Sequence, residues 1–357
     1  MALFGGKKGV IGLDIGSSSI KVAELRETKK GYALQNFGMA TLPPEAIVDG
    51  ALMNSAAIVE AIQTLINERK IKTREVVTSV SGQSVMIKKI PLPAMTEEEL
   101  EDQIQWEAEQ YIPFDINDVN LDFQILKPGD DEGNMEVLLV AAKKDMINDY
   151  VAVITESGLT PVVVDVDAFA LENMYEINYQ IMENEVLALV NIGASVINIA
   201  VTKNGQYMFS RDVSSGGKLY SEEIQKQLSV SYEEAEMLKL GGAAKGDTEE
   251  VMRREVSTVI RSVSDQLASE IARSLDFYQA AAAEEHINKI WLSGGSCRIP
   301  GLAEVVQEKQ NIPVEILDPF RNVDRNPKQF DPGYLEQEVG PQAAVVVGLA
   351  TRRVGDK

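Results

Sequence analysis

Short apolar runs open the chain. Residues 10–15, 20–25 and 32–40 are strand-like and are separated by turns rich in Gly, Ser or Lys, which predicts three consecutive strands. The period then changes. Ile58, Val59, Ile62, Leu65 and Ile66 recur on one face at helical spacing, so a helix is expected there, followed by strands at 76–80 and 85–90. Residues 96–112 carry a clear helix signal: Thr96 and Glu99 form a capping box, Leu100, Ile104, Ala108, Tyr111 and Ile112 share a face, and Pro113 stops the pattern. The outer face bears Glu97, Glu98, Glu101, Asp102, Glu107 and Glu109, which reads as a solvated surface. Trp106 lies opposite the apolar stripe and is the better interface aromatic of the two tryptophans. Residues 130–134 predict a hairpin turn into a strand at 136–141. A strand at 162–166 ends at Asp167, and a helix follows from 168.

The opening pattern then returns. Apolar runs at 186–192, 196–201 and 206–212 form a second strand-turn-strand unit, whose first strand ends in Asn191-Ile192-Gly193 as the first copy ends in Asp14-Ile15-Gly16. Two such units imply two lobes facing each other. Helices are expected at 222–228, 232–240 and 251–283; in the last, Val256, Val259, Ile260, Val263, Leu267, Ile271 and Leu275 form a stripe that Ala268 and Ala272 widen, as packing on a sheet demands. A buried strand at 287–293 runs into Gly294-Gly295. Residues 323–338 read as loop, and 341–350 as a final small-residue helix.

At 357 residues the chain exceeds one ordinary core, so two domains or a bilobal unit is expected. No apolar stretch approaches the ~20 residues of a membrane span, and Asp14 interrupts the run that would make the N-terminus a secretory signal. Cytoplasmic residence is expected, in keeping with a single cysteine, Cys297. One cysteine and one histidine, His286, leave little for a zinc site or a nucleophile–histidine pair; His286 reads as an exposed helix-end residue and Cys297 as a packing residue. The net charge of −21 disfavours nucleic acid and direct adhesion to anionic lipid. An anionic ligand would have to be met locally, by a metal, a few lysines and backbone N–H groups.

That points to the glycine turns. Gly16 with Ser17, Ser18 and Ser19 forms a turn with no bulky Cβ substituent, so its N–H groups can converge on a phosphate. Asp14 could hold a divalent cation through water, and Lys21 could add a point charge. An ordinary hairpin would look the same in isolation. Two further glycine turns, Asn191 to Ser195 and Ser293 to Ser296, also follow apolar strands, and three in this order argue for a nucleotide clamp.

With these turns the chain resembles the actin, heat-shock chaperone and sugar kinase superfamily. Within its FtsA-like branch it resembles the PilM family of type IV pilus assembly, through Gly12-Leu13-Asp14-Ile15-Gly16-Ser17-Ser18-Ser19-Ile20-Lys21, Lys89-Ile90-Pro91-Leu92-Pro93 and Ala108-Glu109-Gln110-Tyr111-Ile112-Pro113-Phe114. The resemblance spans almost the whole chain. It implies an α/β, actin-like ATPase fold: two lobes, each with a mixed five-stranded type of sheet, and an α+β subdomain inserted in the first lobe. The expected division is 1–84, 166–185 and 340–357 for the first lobe, 85–165 for the insertion, 186–215 and 287–339 for the second lobe, and 216–286 for a helical subdomain.

The resemblance implies ATP with Mg2+ (or Mn2+) as ligands. Gly16, Ser17, Ser18, Ser19 and Lys21, together with Asn191, Gly193, Ala194 and Ser195, would hold the phosphates. Gly294, Gly295 and Ser296 would flank the adenosine, Gly216-Gly217 would open the helical subdomain, and Glu236 and Lys239 would touch ribose and adenine. Asp14 and Asn191 would hold the metal through water. Asn191 stands where many relatives have Asp, so hydrolysis is expected to be slow or partner-dependent. Asp167 either orients the attacking water or caps the helix that follows it. The implied partners are the N-terminal cytoplasmic tail of PilN, the pilus motor ATPases and platform protein, and further copies of the chain, with inner-membrane association through these partners. A small-molecule kinase and an FtsA-like filament former remain alternatives, although residues 351–357 lack the apolar face of a lipid anchor.

Overall fold

A computed structural model describes residues 9–129, 133–241, 249–282 and 285–355. Residues 1–8, the tip of the hairpin expected at 130–134 and the end of the helix expected to reach 283 lie wholly or partly outside these segments.

The first lobe begins with β1 (Ile11–Ile15), β2 (Ser19–Thr28) and β3 (Gly31–Thr41), an antiparallel meander as its alternation predicts. A small hairpin, β4 (Ile47–Val48) and β5 (Ala51–Leu52), precedes α1 (Ser55–Glu68), whose Ile58, Val59, Ile62, Leu65 and Ile66 are all buried. Then come β6 (Glu75–Val80) and β7 (Val85–Pro93). Helix α2 (Glu97–Glu109) starts at the Thr96 capping box, with both reciprocal hydrogen bonds formed. It lies on a three-stranded antiparallel sheet, β7-β9-β8, completed by β8 (Val119–Lys127) and β9 (Asn134–Lys143). Leu100, Ile104 and Ala108 pack with Ile90, Val137 and Leu139 in a core of their own, and Trp106 on the opposite face is 79% exposed.

From α3 (Lys144–Glu156) the chain is back in the first lobe. Tyr150, Val153 and Ile154 join the core with α1, and β10 (Thr160–Val166) pairs with β6 in the first sheet. The insertion therefore ends near Lys143. The expectation that it extends to 165 is corrected, because parallel pairing with β6 is a long-range fact that local pattern does not carry.

Helix α4 (Asp167–Asn178) crosses to the second lobe, where β11 (Val186–Ile192), β12 (Ile197–Lys203) and β13 (Gln206–Val213) repeat the meander. There follow α5 (Lys218–Leu228), α6 (Tyr232–Lys239), α7 (Glu249–Ala281), β14 (Lys289–Ser293), α8 (Leu302–Gln310) and β15 (Val314–Ile316). Of the predicted α7 stripe, Val256, Val259, Val263, Leu267, Ile271 and Leu275 are buried in one core with this sheet, of order β13-β12-β11-β14-β15, and Ile260 is half-buried. Residues 323–338, expected as second-lobe loop, instead include β16 (Val323–Asp324), which pairs with β3 and completes a first sheet of order β10-β6-β1-β2-β3-β16. Phe330 and Leu335 of this stretch, and Phe320 just before it, are buried in a core with Leu34 and Phe37 of β3. Apolar anchors embedded in an Asn-, Pro- and Asp-rich segment return the chain to the first lobe.

Last comes α9 (Ala344–Leu349), every residue of which is buried. It packs with α4 in a core that also takes Ala23 and Phe37 from the first sheet and Leu187, Leu189 and Ala200 from the second. Two helices thus form the hinge layer between the sheets. The close approach of α9 to β1 needs a glycine: a Cβ at Gly12 would lie 2.4 Å from the Val346 carbonyl oxygen. Among the described residues no helix is long and apolar enough to cross a membrane.

Candidate functional site

The turn between β1 and β2 is closed by the Gly16 N–H donating to the Ser19 carbonyl at 3.2 Å, and the turn between β11 and β12 by the Gly193 N–H donating to Val196 at 2.9 Å. Both are glycine turns of the same span. The strand registers match as well: Asp14 faces Lys21, and seven residues apart in the same way Asn191 faces Asn198. In the first lobe the Lys21 ammonium donates to Asp14 Oδ2 at 2.9 Å; in the second, Asn191 Nδ2 donates to Asn198 Oδ1 at 2.9 Å. A charged pair has been replaced by a neutral one.

The neutral pair belongs to a longer relay. Asn198 Nδ2 donates to Asp212 Oδ1 at 2.9 Å, and Asp212 Oδ2 accepts the Gly82 N–H from the other lobe at 2.6 Å. A carboxylate only accepts, so Asn198 must present its NH2 to Asp212 and its oxygen to Asn191. That leaves Asn191 Oδ1, which accepts from Ser293 Oγ at 3.3 Å, as the oxygen available toward a cation's water.

The two turns face one cavity of about 670 Å3 between the lobes. Asp14, Gly16, Ser17, Ser18, Ser19, Lys21, Asn191, Gly193, Ala194, Ser195, Gly217, Glu236, Lys239, Gly294, Gly295 and Ser296 all line it, as does Asp167. Gly216 does not. A Cβ there would sit 2.6 Å from the Gly193 carbonyl oxygen, so its glycine serves the close packing of α5's approach against the second turn. The third turn is locked onto the second: Ser296 N–H donates to Ile192 at 3.1 Å, and Ser296 Oγ to the Gly193 carbonyl at 3.3 Å. Gly294 has φ +88° and its Cα faces the Ile192 backbone, which only glycine permits. Lys239 donates to Glu236 at 2.6 Å and to Ser221 Oγ at 3.1 Å, so α6 presents a tied acid–base pair to the cavity.

Asp167 is the first residue of α4, and the N-cap position falls one residue earlier, on Val166. The Asp167 side chain accepts the Ser79 hydroxyl at 2.6 Å. Burial first, and the negative charge of Asp14 second, push its carboxyl up to about 7, against the donation from Ser79 and Ser81. An unfolded aspartate titrates at about 3.9, so the associated stability is complete below about pH 4 and is lost as pH rises through about 7. Asp167→Asn is expected to flatten this decline. Thermal melts of both proteins across pH 4 to 7 check it, and equal slopes would count against a protonated Asp167.

Several cavity residues were not anticipated from sequence. Ser79, near the end of β6, and the small-residue turn at Ser81 and Gly82 that follows this apolar strand give a signal of the same kind as the other three. Phe114 and Lys143 reach the cavity from the inserted subdomain, and Asp212 acts behind Asn191. Of the residues read as bystanders, His286 is exposed and Cys297 is buried with its thiol pushed up to about 12 by burial; Trp291, the second tryptophan, is buried in the hinge core.

A family model described as type IV pilus assembly protein PilM matches residues 12–354. The chain belongs to the PilM family. A solved structure of a PilM-PilN type IV pilus biogenesis complex is similar to this PilM-family chain at a TM-score of 0.86 and 29% identity, covering 98% of this chain and 100% of that one. The cell division protein FtsA of Neisseria meningitidis serogroup B is 22% identical over 344 residues, which is 85% of this chain and 82% of FtsA. The ethanolamine utilization protein EutJ of Escherichia coli K12 is 29% identical over 121 residues; the match spans 34% of this chain and only 37% of EutJ. MreB5 of Spiroplasma citri, in a structure bound to AMPPNP, shares the fold at a TM-score of 0.51 and 13% identity. This PilM-family chain is thus an actin-like α/β protein of type IV pilus assembly.

Proposed function

We propose that the chain is an ATP-binding scaffold of the pilus machine, whose nucleotide state governs its fit to a membrane-anchored partner. The observation that carries this reading is the pair of glycine turns, one per lobe, that share a closing hydrogen bond and a strand register and face the same cavity.

The turns fit polyphosphate. A Cβ on Gly16 would come within 3.6 Å of Lys21 Nζ and 3.8 Å of Asp14 Oδ1, so the glycine keeps a cradle open beside both charged groups. The N-termini of α4 and α5 also reach the cavity through Asp167 and Gly217 and favour negative charge there. Among the described residues no cluster of three or more His, Cys, Asp or Glu side chains could hold a metal by itself. Mg2+ would therefore arrive with the nucleotide, with Asp14 and Asn191 holding its waters. Bound there, the cation supplies charge neutralisation for the phosphates.

Lys21 holds Asp14 in place, the Asn198–Asp212 relay orients Asn191, and Glu236 with Lys239 fits a ribose. Asp167, half-buried beside Asp14, is the residue suited to orient a water. A carboxyl near 7 is only partly ionised at neutral pH, and Asn191 contributes no charge, so turnover is slow unless a partner completes the site. Catalysis is secondary to binding in this reading.

The partner is the cytoplasmic N-terminal tail of PilN, docked between the first lobe and the inserted subdomain. Support for this choice comes from the similar solved complex, in which a PilM is paired with PilN. Through the tail the chain is held at the inner membrane from the cytoplasmic side, where motor ATPases, the platform protein and other copies of the chain are within reach. An immobilised peptide of the tail is expected to retain the purified chain, with retention changed about fivefold or more by Mg–ATP, in the usual range of allosteric coupling. No retention in either condition defeats the docking claim and leaves the nucleotide claim standing.

A further inference from the structure

The inserted subdomain joins the first lobe by a neck that belongs to the cavity wall. Its entering strand β7 begins at Val85 and its leaving strand β9 ends at Lys143. These crossings are bonded to each other: Val85 pairs with Ala142, and the Lys143 N–H donates to the Ser84 carbonyl at 3.0 Å. Ser81, Gly82, Gln83, Ser84 and Lys143 all line the cavity. The neck also touches the second lobe, through the Gly82 N–H on Asp212 and Gln83 Nε2 on Ser214 Oγ at 3.2 Å.

The lysines of the cavity are not equivalent. Lys21 is paired with Asp14 and Lys239 with Glu236, so each brings its charge already balanced. Lys143 is exposed, and its ammonium lies over the Phe114 ring, 4.9 Å from the centroid. Among the described residues no carboxylate is ion-paired with it. Both Lys143 and Phe114 come from the inserted subdomain. In a chain of net charge −21, an uncommitted cation at the edge of a polyphosphate cavity is the group with most to gain from an additional phosphate. A flexible four-carbon stem lets the ammonium leave the ring and reach for a phosphate.

We propose that Lys143 senses the terminal phosphate of the nucleotide. This rests on the nucleotide reading given above and deepens it. With a triphosphate bound, the ammonium exchanges the Phe114 ring for the terminal phosphate and draws the neck toward the cavity. The inserted subdomain turns with it, because entry and exit strands are bonded as one unit. With a diphosphate the ammonium stays on Phe114. The device thereby tells the partner-facing subdomain which nucleotide is held.

Calorimetric titration of Mg–ATP and Mg–ADP into the full-length chain tests this, using wild type, Lys143→Gln and Lys144→Gln. Lys144→Gln removes the same charge one residue away, where the Lys144 ammonium donates to the Asn117 carbonyl and does not line the cavity. In Lys143→Gln, ATP affinity is expected to fall about tenfold, the scale of one charge-assisted hydrogen bond, while ADP affinity stays within about twofold. Lys144→Gln should bind both as wild type does. A second readout is hydrogen exchange at 81–85 and 110–118, whose difference between ATP and ADP should vanish in Lys143→Gln. An unchanged ATP-to-ADP ratio in that variant, or equal losses for both nucleotides, overturns the proposal while the nucleotide reading survives. Wild type that binds neither nucleotide overturns both.

Discussion

Gly16→Val is expected to lower Mg–ATP affinity about 100-fold, the scale of two lost charge-assisted hydrogen bonds, with little change in melting temperature. The turn is on the cavity wall, and the only close backbone neighbour of an added Cβ is the Ser19 carbonyl at 3.1 Å. A small shift accommodates it, but the isopropyl group then occupies the space beside Asp14 and Lys21 where phosphate oxygens would sit. Gly193→Val in the second lobe should cause a loss of the same order, since its Cβ would be 2.9 Å from the Val196 carbonyl in the equivalent turn. Its fold is more exposed to damage, because the Gly193 carbonyl also accepts the Gly217 N–H at 2.9 Å. Titration of each variant, with a melt as control, checks both. If either folded variant binds like wild type, a clamp made by two lobes is wrong.

Gly348→Val should destabilise the whole protein by about 3 kcal/mol or more, at the upper end of the cost of overpacking. A Cβ at this position in α9 would be 1.8 Å from the Ala170 carbonyl oxygen and 2.6 Å from its carbon, both backbone atoms of α4. Neither helix can retreat, because each is pressed between the two sheets: α4 carries fully buried Leu171 and Met174, and α9 carries Val346, Val347 and Leu349. Natural stability is about 5–15 kcal/mol, so the loss is a large share of it. Urea denaturation should show a clearly lower midpoint, and a midpoint near wild type would mean that the helices do not pack this closely.

The parts of this molecule that were legible in sequence are those with local causes. The Thr96 capping box, the α7 stripe and the three glycine turns are each written within a few residues, and each appears where expected. Even the neutral pair was present as a spacing, 14 to 21 and 191 to 198, although Asn191 could be read only as a weakened metal site until the register showed Asn198 opposite it. What escaped depends on partners distant in the chain. Two residues, Val323 and Asp324, form a strand only because β3 offers an edge, and β10 belongs to the first lobe only through β6. Asp212 looks like an ordinary strand residue until Gly82, 130 positions away, donates to it from the other lobe. Lys143 and Phe114 likewise reach the site through the fold of the insertion, with no glycine turn to announce them.

The central claim is that one nucleotide is held from both lobes at once, and hydrogen exchange of the full-length chain with and without saturating Mg–ATP tests it most directly. Protection is expected together at 14–21, 191–198 and 293–297, the three turns that face the cavity. Protection at one lobe alone, or at neither, would contradict it.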